Sequence, residues 1–264
     1  MNNRTNCLYS PGFCSRGFFT TFIFMKWTLF IMLLTISASA FAQQAESITD
    51  QYAAHLGGYA GFKKIKTVKI TGKTIAGEQS FPMLLVVQTG KSIYNMVDIG
   101  DHKFISGYDQ GTGWVTDFRL GPDTIRDMDE PELMEQKGMV SMGGPLIEYR
   151  ENGTRLGYSG VKKIREKDAY RIDLYDSTGN MFIKFYIDTT TYMPVQMSLI
   201  KTIDGKASET QIVPSMPQWV GGVLFFMKQE AYVNGQLSQT LLFDKVEVNI
   251  TIDRNIFQKP VKQY

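Results

Sequence analysis

Cysteine is nearly missing from this chain of 264 residues, and the two present, Cys7 and Cys14, both fall in the first 14 positions. Beyond them no disulfide framework and no thiol chemistry are open to the chain. Histidine is equally scarce. His55 and His102 are the only two, and without cysteine partners they do not have the spacing of a zinc site. There is no G-x-S-x-G elbow, no Walker loop and no G-x-G-x-x-G fingerprint. The short G-x-G at Gly111 to Gly113 opens a strand rather than a helix, and reads as a tight turn. Asp101 and His102 with a remote serine would form a triad only by coincidence. The carboxylates are scattered over turns and strand ends, so a glycosidase pair has no specific support. No enzyme and no cofactor are expected.

Charge of one sign is also lacking. The chain carries 28 basic and 26 acidic residues, but Arg4, Arg16 and Lys26 all precede residue 43 and no acid does. The remainder is therefore one charge to the acidic side, which gives no basic surplus for nucleic acid. No low-complexity linker, charge block or repeat marks an internal boundary.

The N-terminus has its own pattern. Lys26 is followed by an apolar run from Trp27 to Ile36, and small residues lead to Ala40-Phe41-Ala42 before Gln43. A basic start, a short apolar core and an A-x-A-like site describe a secretory signal peptide. The run falls short of the about 20 residues that span a bilayer. An uncleaved anchor is the competing reading, since Gly17 to Phe24 would extend the run with Lys26 as the one interruption. Residues 1–24 do not look like a signal n-region, and Met25-Lys26 reads as the true start. The expected organisation is a leader over 1–42 and a single domain over 43–264. No cysteine follows the cleavage site to be lipidated, so the exported product is expected to be soluble.

Within that domain, Ile48, Tyr52 and Leu56 recur four apart from Gln44 onward, the spacing of an amphipathic helix, and Gly57-Gly58 ends it. From Thr67 the period changes to two. Val68 and Ile70 alternate with Lys69 and Thr71, and Tyr170, Ile172 and Leu174 with Arg171 and Asp173. Asn234-Gly235 is a hairpin signal because both residues tolerate positive φ. About ten strands joined by short turns predict an antiparallel meander. One stretch departs from it: Asp127 to Tyr149 mixes Asp129, Glu130, Glu132 and Glu135 with Leu133, Met134, Met139 and Leu146, and breaks at Gly143-Gly144-Pro145. It reads as one or two short helices, either a lid over the sheet or an ordinary packing helix. Aromatics and methionines concentrate in the strands. They are either core or the wall of an adaptable apolar cavity.

At this point the chain resembles the periplasmic outer-membrane lipoprotein-sorting proteins, the LolA/LolB-like lipoprotein carriers, in their Bacteroidota-type branch. The likeness runs over nearly all of residues 44–262. It is carried by the opening helix with Leu56-Gly57-Gly58, then Phe62, Ile65, Val68 and Ile70. It continues in the turn of Asp109, Gly111 and Trp114, the acidic insert Asp129 to Glu135, and the turn of Tyr186, Asp188, Thr191 and Tyr192. It closes with Ile252, Asp253, Phe257 and Pro260. The resemblance implies a mainly β fold: an unclosed, strongly curved antiparallel sheet, a half-barrel, with short helices covering its concave face. It implies a soluble, monomeric periplasmic carrier for the acyl chains of lipoproteins or another lipid. An inner-membrane donor complex and an outer-membrane acceptor would be its partners. The archetypal carrier has a strand arginine that bonds its lid helices. The early strands here, Val68 to Val97, contain no arginine, and no such residue is carried over.

On this reading Met83, Leu85, Trp114, Phe182, Phe225 and Met227 line the ligand cavity. Ile48, Tyr52, Leu133 and Met134 belong to the lid. Two alternatives stay open: a binding module for another apolar ligand such as a glycolipid or polyisoprenoid, and a structural envelope protein whose groove docks a partner peptide.

Overall fold

The computed structural model describes residues 43–121, 124–203 and 206–260. The leader expected over 1–42 lies outside the described residues.

The first helix, α1 (residues 43–55), owes its place to one stripe. Ala45, Ile48, Thr49, Tyr52, Ala53 and Leu56 are all buried, and they repeat at the three-and-four spacing of one helical face. Gly57 turns the chain at φ 116°. A side chain there would strike the backbone of Gly222 and Val223, so glycine lets the helix end press against the sheet. The Leu224 N–H donates to the Leu56 carbonyl at 2.9 Å. The short α2 (Gly58–Lys64) follows.

Thirteen strands then form one sheet. The first six are β1 (Thr67–Ala76), β2 (Gln79–Gln88), β3 (Ser92–Asp98), β4 (Lys103–Asp109), β5 (Thr112–Thr116) and β6 (Ile125–Asp127). Two helices interrupt, α3 (Glu130–Met139) and α4 (Gly144–Ile147). The sheet resumes with β7 (Arg155–Ile164), β8 (Lys167–Tyr175), β9 (Met181–Asp188) and β10 (Pro194–Ile203). It ends with β11 (Lys206–Val220), β12 (Val223–Val233) and β13 (Gln236–Val248). All pairings are antiparallel, in the order β6-β5-β4-β3-β2-β1-β13-β12-β11-β10-β9-β8-β7. The order has two ends, β6 and β7, so the sheet does not close. The insert α3–α4 carries the chain from one edge to the other.

The sheet is nonetheless strongly curved. Helix α3 packs on β4, while Glu135 of α3 reaches Lys201 of β10 at 2.9 Å. These strands are seven steps apart in the sheet, about 34 Å if it were flat. A helix one turn wide bridges that gap only if the sheet wraps around it.

Register sorts the two faces. Val68 pairs with Val87, Ile70 with Leu85 and Gly72 with Met83. Across the other side of β1 the same row continues through Val248, Val246 and Phe243. These residues share the concave face with Ile172, Ile183 and Phe185, and apart from Gly72 and Val87 they pack into one apolar cluster with the stripe of α1, while Val87 belongs to a second, smaller cluster.

Three of the strands exceed the meander expected from sequence: β6, β7 and β11. Strand β11 holds Pro214 and Pro217, which ordinarily exclude an interior strand. Its pairing with β10 stops at Ile212, whereas its pairing with β12 runs on to Val220. Both prolines therefore sit where one side of the strand has no neighbour to bond. Pro82 does the same on β2, one residue before the pairing with β3 begins at Met83.

Candidate functional site: the concave face and its helical cover

The trough of the half-barrel is filled chiefly by α1. Tyr52 meets Phe185 of β9 edge to face, with ring centroids 6.4 Å apart, and burial drives its phenol pKa upward. Ile48 is 6% exposed and Tyr52 7%. Both residues read as lid from sequence thus lie in the main core. On the sheet side, Met83, Leu85, Phe225 and Met227 all belong to or pack against the same cluster. Phe225 and Met227 are two apart on β12 and project to one face.

One of the residues read as cavity lining, Trp114, is placed elsewhere. Trp114 pairs with Gly107, which pairs with Tyr94, a row that lies on the convex face, out of phase with Met83 and Leu85. Its Nε1 donates to the Phe257 carbonyl at 2.9 Å, and a side chain at Gly107 would collide with the indole. Trp114 therefore anchors the C-terminal 3-10 turn (Arg254–Phe257). Asp109 helps, accepting from Ser92 Oγ at 2.6 Å and from Gln258 Nε2 at 3.0 Å. The G-x-G between them is the β4–β5 hairpin turn, with Gln110 and Gly111 at positive φ. Phe182, half-buried at the start of β9, is the extra residue where the pairing with β8 shifts register between Leu174 and Tyr175, and it packs against the main concave cluster.

The insert is similarly divided. Leu133 faces the sheet beside Gly113 and packs on a second cluster of Val87, Ile93, Tyr108 and Val140. Met134, the adjacent residue, is 66% exposed and points away from the core. Helix α3 buries no residue fully, so polar contacts join the packing of Leu133 in setting its position. Asp129 and Glu132 form a capping box at its start, a signature legible in D-x-x-E. Arg126 of β6 forks onto Glu132 at 2.7 and 2.6 Å and donates to Asp117 at 2.9 Å. Those two carboxylates raise its pKa. The sequence showed no arginine in the early strands to bond the insert; here one from β6 does so.

A second polar knot joins the other helices. The Tyr59 hydroxyl of α2 donates to Asp50 of α1 at 2.8 Å. The Arg150 guanidinium, just after α4, lies 4.6 Å from the Tyr149 ring centre and 5.8 Å from that of Tyr59. It also approaches Asp50 at 3.6 Å and Glu46 at 3.8 Å. Burial raises the Tyr149 phenol to about 12. Lys63 of α2 pairs with Glu151 at 3.2 Å. Between α2 and α4 lies a cleft of about 240 Å³, lined by Tyr59, Phe62, Lys63, Ile65, Lys66, Thr89, Ile147, Glu148 and Glu151.

Among the described residues no group of three or more His, Cys, Asp or Glu could hold a metal ion. No helix among them is long and apolar enough to cross a membrane.

These features define a class: an unclosed antiparallel half-barrel with helices laid in its concave face. Solved structures share it. A domain described as an outer-membrane lipoprotein-sorting protein, from Vibrio parahaemolyticus, superposes with a TM-score of 0.53 at 12% identity, over 82% of this chain and 97% of that one. A LolA superfamily protein from Nitrosomonas europaea gives 0.55 at 9% identity, over 81% and 97%. A DUF1329 family protein from Desulfovibrio piger gives 0.54 at 9% identity, over 81% and 97%. No family model matches the chain, and no curated protein does. The LolA-like resemblance read from the sequence is met at the level of the fold.

Proposed function

We propose that this chain is an exported carrier that shelters the acyl chains of a lipoprotein, or of a related lipid, on its way to the outer membrane. The observation that carries the reading is the main apolar cluster of the concave face, with α1 lying in the trough of a sheet that does not close.

The physical case begins with exposure. Each buried CH₂ gains about 0.8 kcal/mol, so a palmitoyl-length tail costs about 12 kcal/mol to hold in water. Such a tail crosses an aqueous compartment only inside a protein. Release requires that binding stay well below that full value. In the empty carrier the stripe of α1 and Leu133 of α3 already cover the concave wall, so an incoming tail exchanges one set of apolar contacts for another. The net gain is the difference, which leaves the cargo transferable. Met83, Leu85, Phe225 and Met227 are the proposed wall, and α1 and α3 the elements that move. The periplasm is the proposed compartment, after removal of the leader, with a donor at the inner membrane and an acceptor at the outer.

Native mass spectrometry of protein purified from cells, followed by lipid extraction, tests this directly. Bound acyl species are expected, and their identity separates a lipoprotein carrier from a glycolipid or polyisoprenoid binder. Protein that is always empty and also ignores fluorescent acyl probes would sink the reading.

A further inference from the structure

We propose that the cleft between α2 and the turn after α4 is where an acyl chain enters, and that its uncharged polar end comes to rest against Thr89. This rests on the carrier reading above and adds to it a site and a ligand class.

The floor of the cleft is apolar and continuous with the core. Phe62, Ile65 and Ile147 line it, and all three are members of the main buried cluster, at 8, 1 and 4% exposure. A tail that passes this floor meets the concave wall without crossing water. The volume, about 240 Å³, lies below the range of about 300–1,000 Å³ usual for a whole ligand. It suits one end of a long molecule whose remainder lies deeper.

The rim is polar but charge-balanced. Lys63 and Lys66 face Glu148 and Glu151, and these groups already have partners. Lys63 pairs with Glu151, Lys66 Nζ donates to the Lys63 carbonyl at 2.8 Å, and Glu148 Oε1 accepts from the Gly143 N–H at 3.2 Å. Two cations and two anions give no preference for a net charge. The Thr89 hydroxyl is different. Its oxygen is buried in the wall and has no hydrogen-bond partner, a condition that native structures ordinarily avoid. Gln88 Oε1 and Ser141 Oγ share it close by, since the Gly90 N–H bonds the Val140 carbonyl at 2.9 Å. An ester or amide carbonyl, or a hydroxyl, at the head of an acyl chain would satisfy Thr89. The geometry therefore points to a single-chain amphiphile with a neutral head.

The doorway is also built to open. Lys63 and Glu151 are well exposed, at 73 and 51%, and exposed pairs of this kind hold weakly. Helix α2 hangs from Gly57 and Gly58, both at positive φ, with no side chain capping its start.

The test uses the full chain carrying Cys7→Ser and Cys14→Ser. Lys63→Cys with Glu151→Cys is bridged by a short bis-maleimide, and Lys163→Cys with Glu166→Cys, on an exposed hairpin, serves as the control tether. Uptake of a pyrene-labelled monoacylglycerol is followed by stopped flow. The tether over the cleft is expected to slow uptake by at least an order of magnitude, and the control tether to leave it unchanged. Thr89→Val is expected to weaken monoacylglycerol binding severalfold while leaving a pyrene-labelled alkane unaffected. Undiminished uptake by the cleft-tethered protein overturns the doorway, and equal losses for both probes in Thr89→Val overturn the head site. Failure of every form, untethered included, to take up either probe is instead the failure of the carrier reading itself.

Discussion

Lys201 of β10 and Glu135 of α3 meet at 2.9 Å across the open side of the half-barrel. It is a tie between a strand on one flank of the trough and a helix seated on the other. Both side chains are more than half exposed, so the pair supplies little energy and chiefly sets where α3 rests. Lys201→Ala is expected to change unfolding free energy by no more than about 1 kcal/mol. It should nevertheless speed amide hydrogen exchange in α3 relative to β4, read by mass spectrometry. Unchanged exchange in α3 would show that its position does not depend on Lys201.

Arg126 makes the stronger attachment, with three side-chain bonds to Glu132 and Asp117. Arg126→Lys keeps the charge and loses the planar fork. It is expected to lower the urea midpoint almost as far as Arg126→Ala, with both variants loosening α3 in hydrogen exchange. Full recovery by lysine would mean that charge alone matters at this site.

Gly107 lies directly under the Trp114 indole, with no room for a side chain. Gly107→Ala is expected to cost about 1–3 kcal/mol through overpacking and to shift tryptophan fluorescence as the indole leaves the Phe257 carbonyl. Trp114→Phe, which keeps most of the ring and loses that hydrogen bond, is expected to cost about 1 kcal/mol. Neither substitution should alter acyl-probe affinity, because the row lies on the convex face.

Asp188 organises the turn before β10. Burial pushes its carboxyl pKa upward, but bonds from the Thr191 and Thr190 N–H groups, with Lys167 at 3.3 Å, prevail and hold it below the usual value. A depressed folded-state pKa means that the unfolded chain takes up the proton first. The stabilisation is therefore full above the ordinary aspartate value near about 4 and is lost as pH falls through the lower folded value. Urea titrations from pH 6 downward are expected to show wild type losing stability in that acid window, with Asp188→Asn showing a shallower slope. Parallel slopes would remove Asp188 from the account.

What the sequence made legible was local. The stripe of α1, the alternation in β1 and β8 and the Asn234-Gly235 hairpin all follow from spacing over a few neighbouring residues. Strand β11 was hidden because Pro214 and Pro217 argue against a strand unless one knows that β10 stops short beside them. Strand β7 was hidden by Gly157, Gly160 and the Lys162-Lys163 pair, which leave no clean alternation. Among the site residues, alternation says that Phe225 and Met227 share a face but not which face. Trp114 was misplaced for that reason: its side depends on the pairing of Gly107 with Tyr94, a relation between strands. The bonds of Arg126 to Glu132 and of Lys201 to Glu135 were equally invisible, since they depend on how the sheet bends.

A sheet sealed into a cylinder has its girth set by strand number and stagger. Here β6 and β7 remain unjoined, and no ring of backbone bonds dictates a diameter. Small changes in twist, shared among twelve strand pairings, would widen or narrow the channel without breaking any ladder. Guests of unequal bulk, one hydrocarbon tail or several, could then be gripped by the same wall.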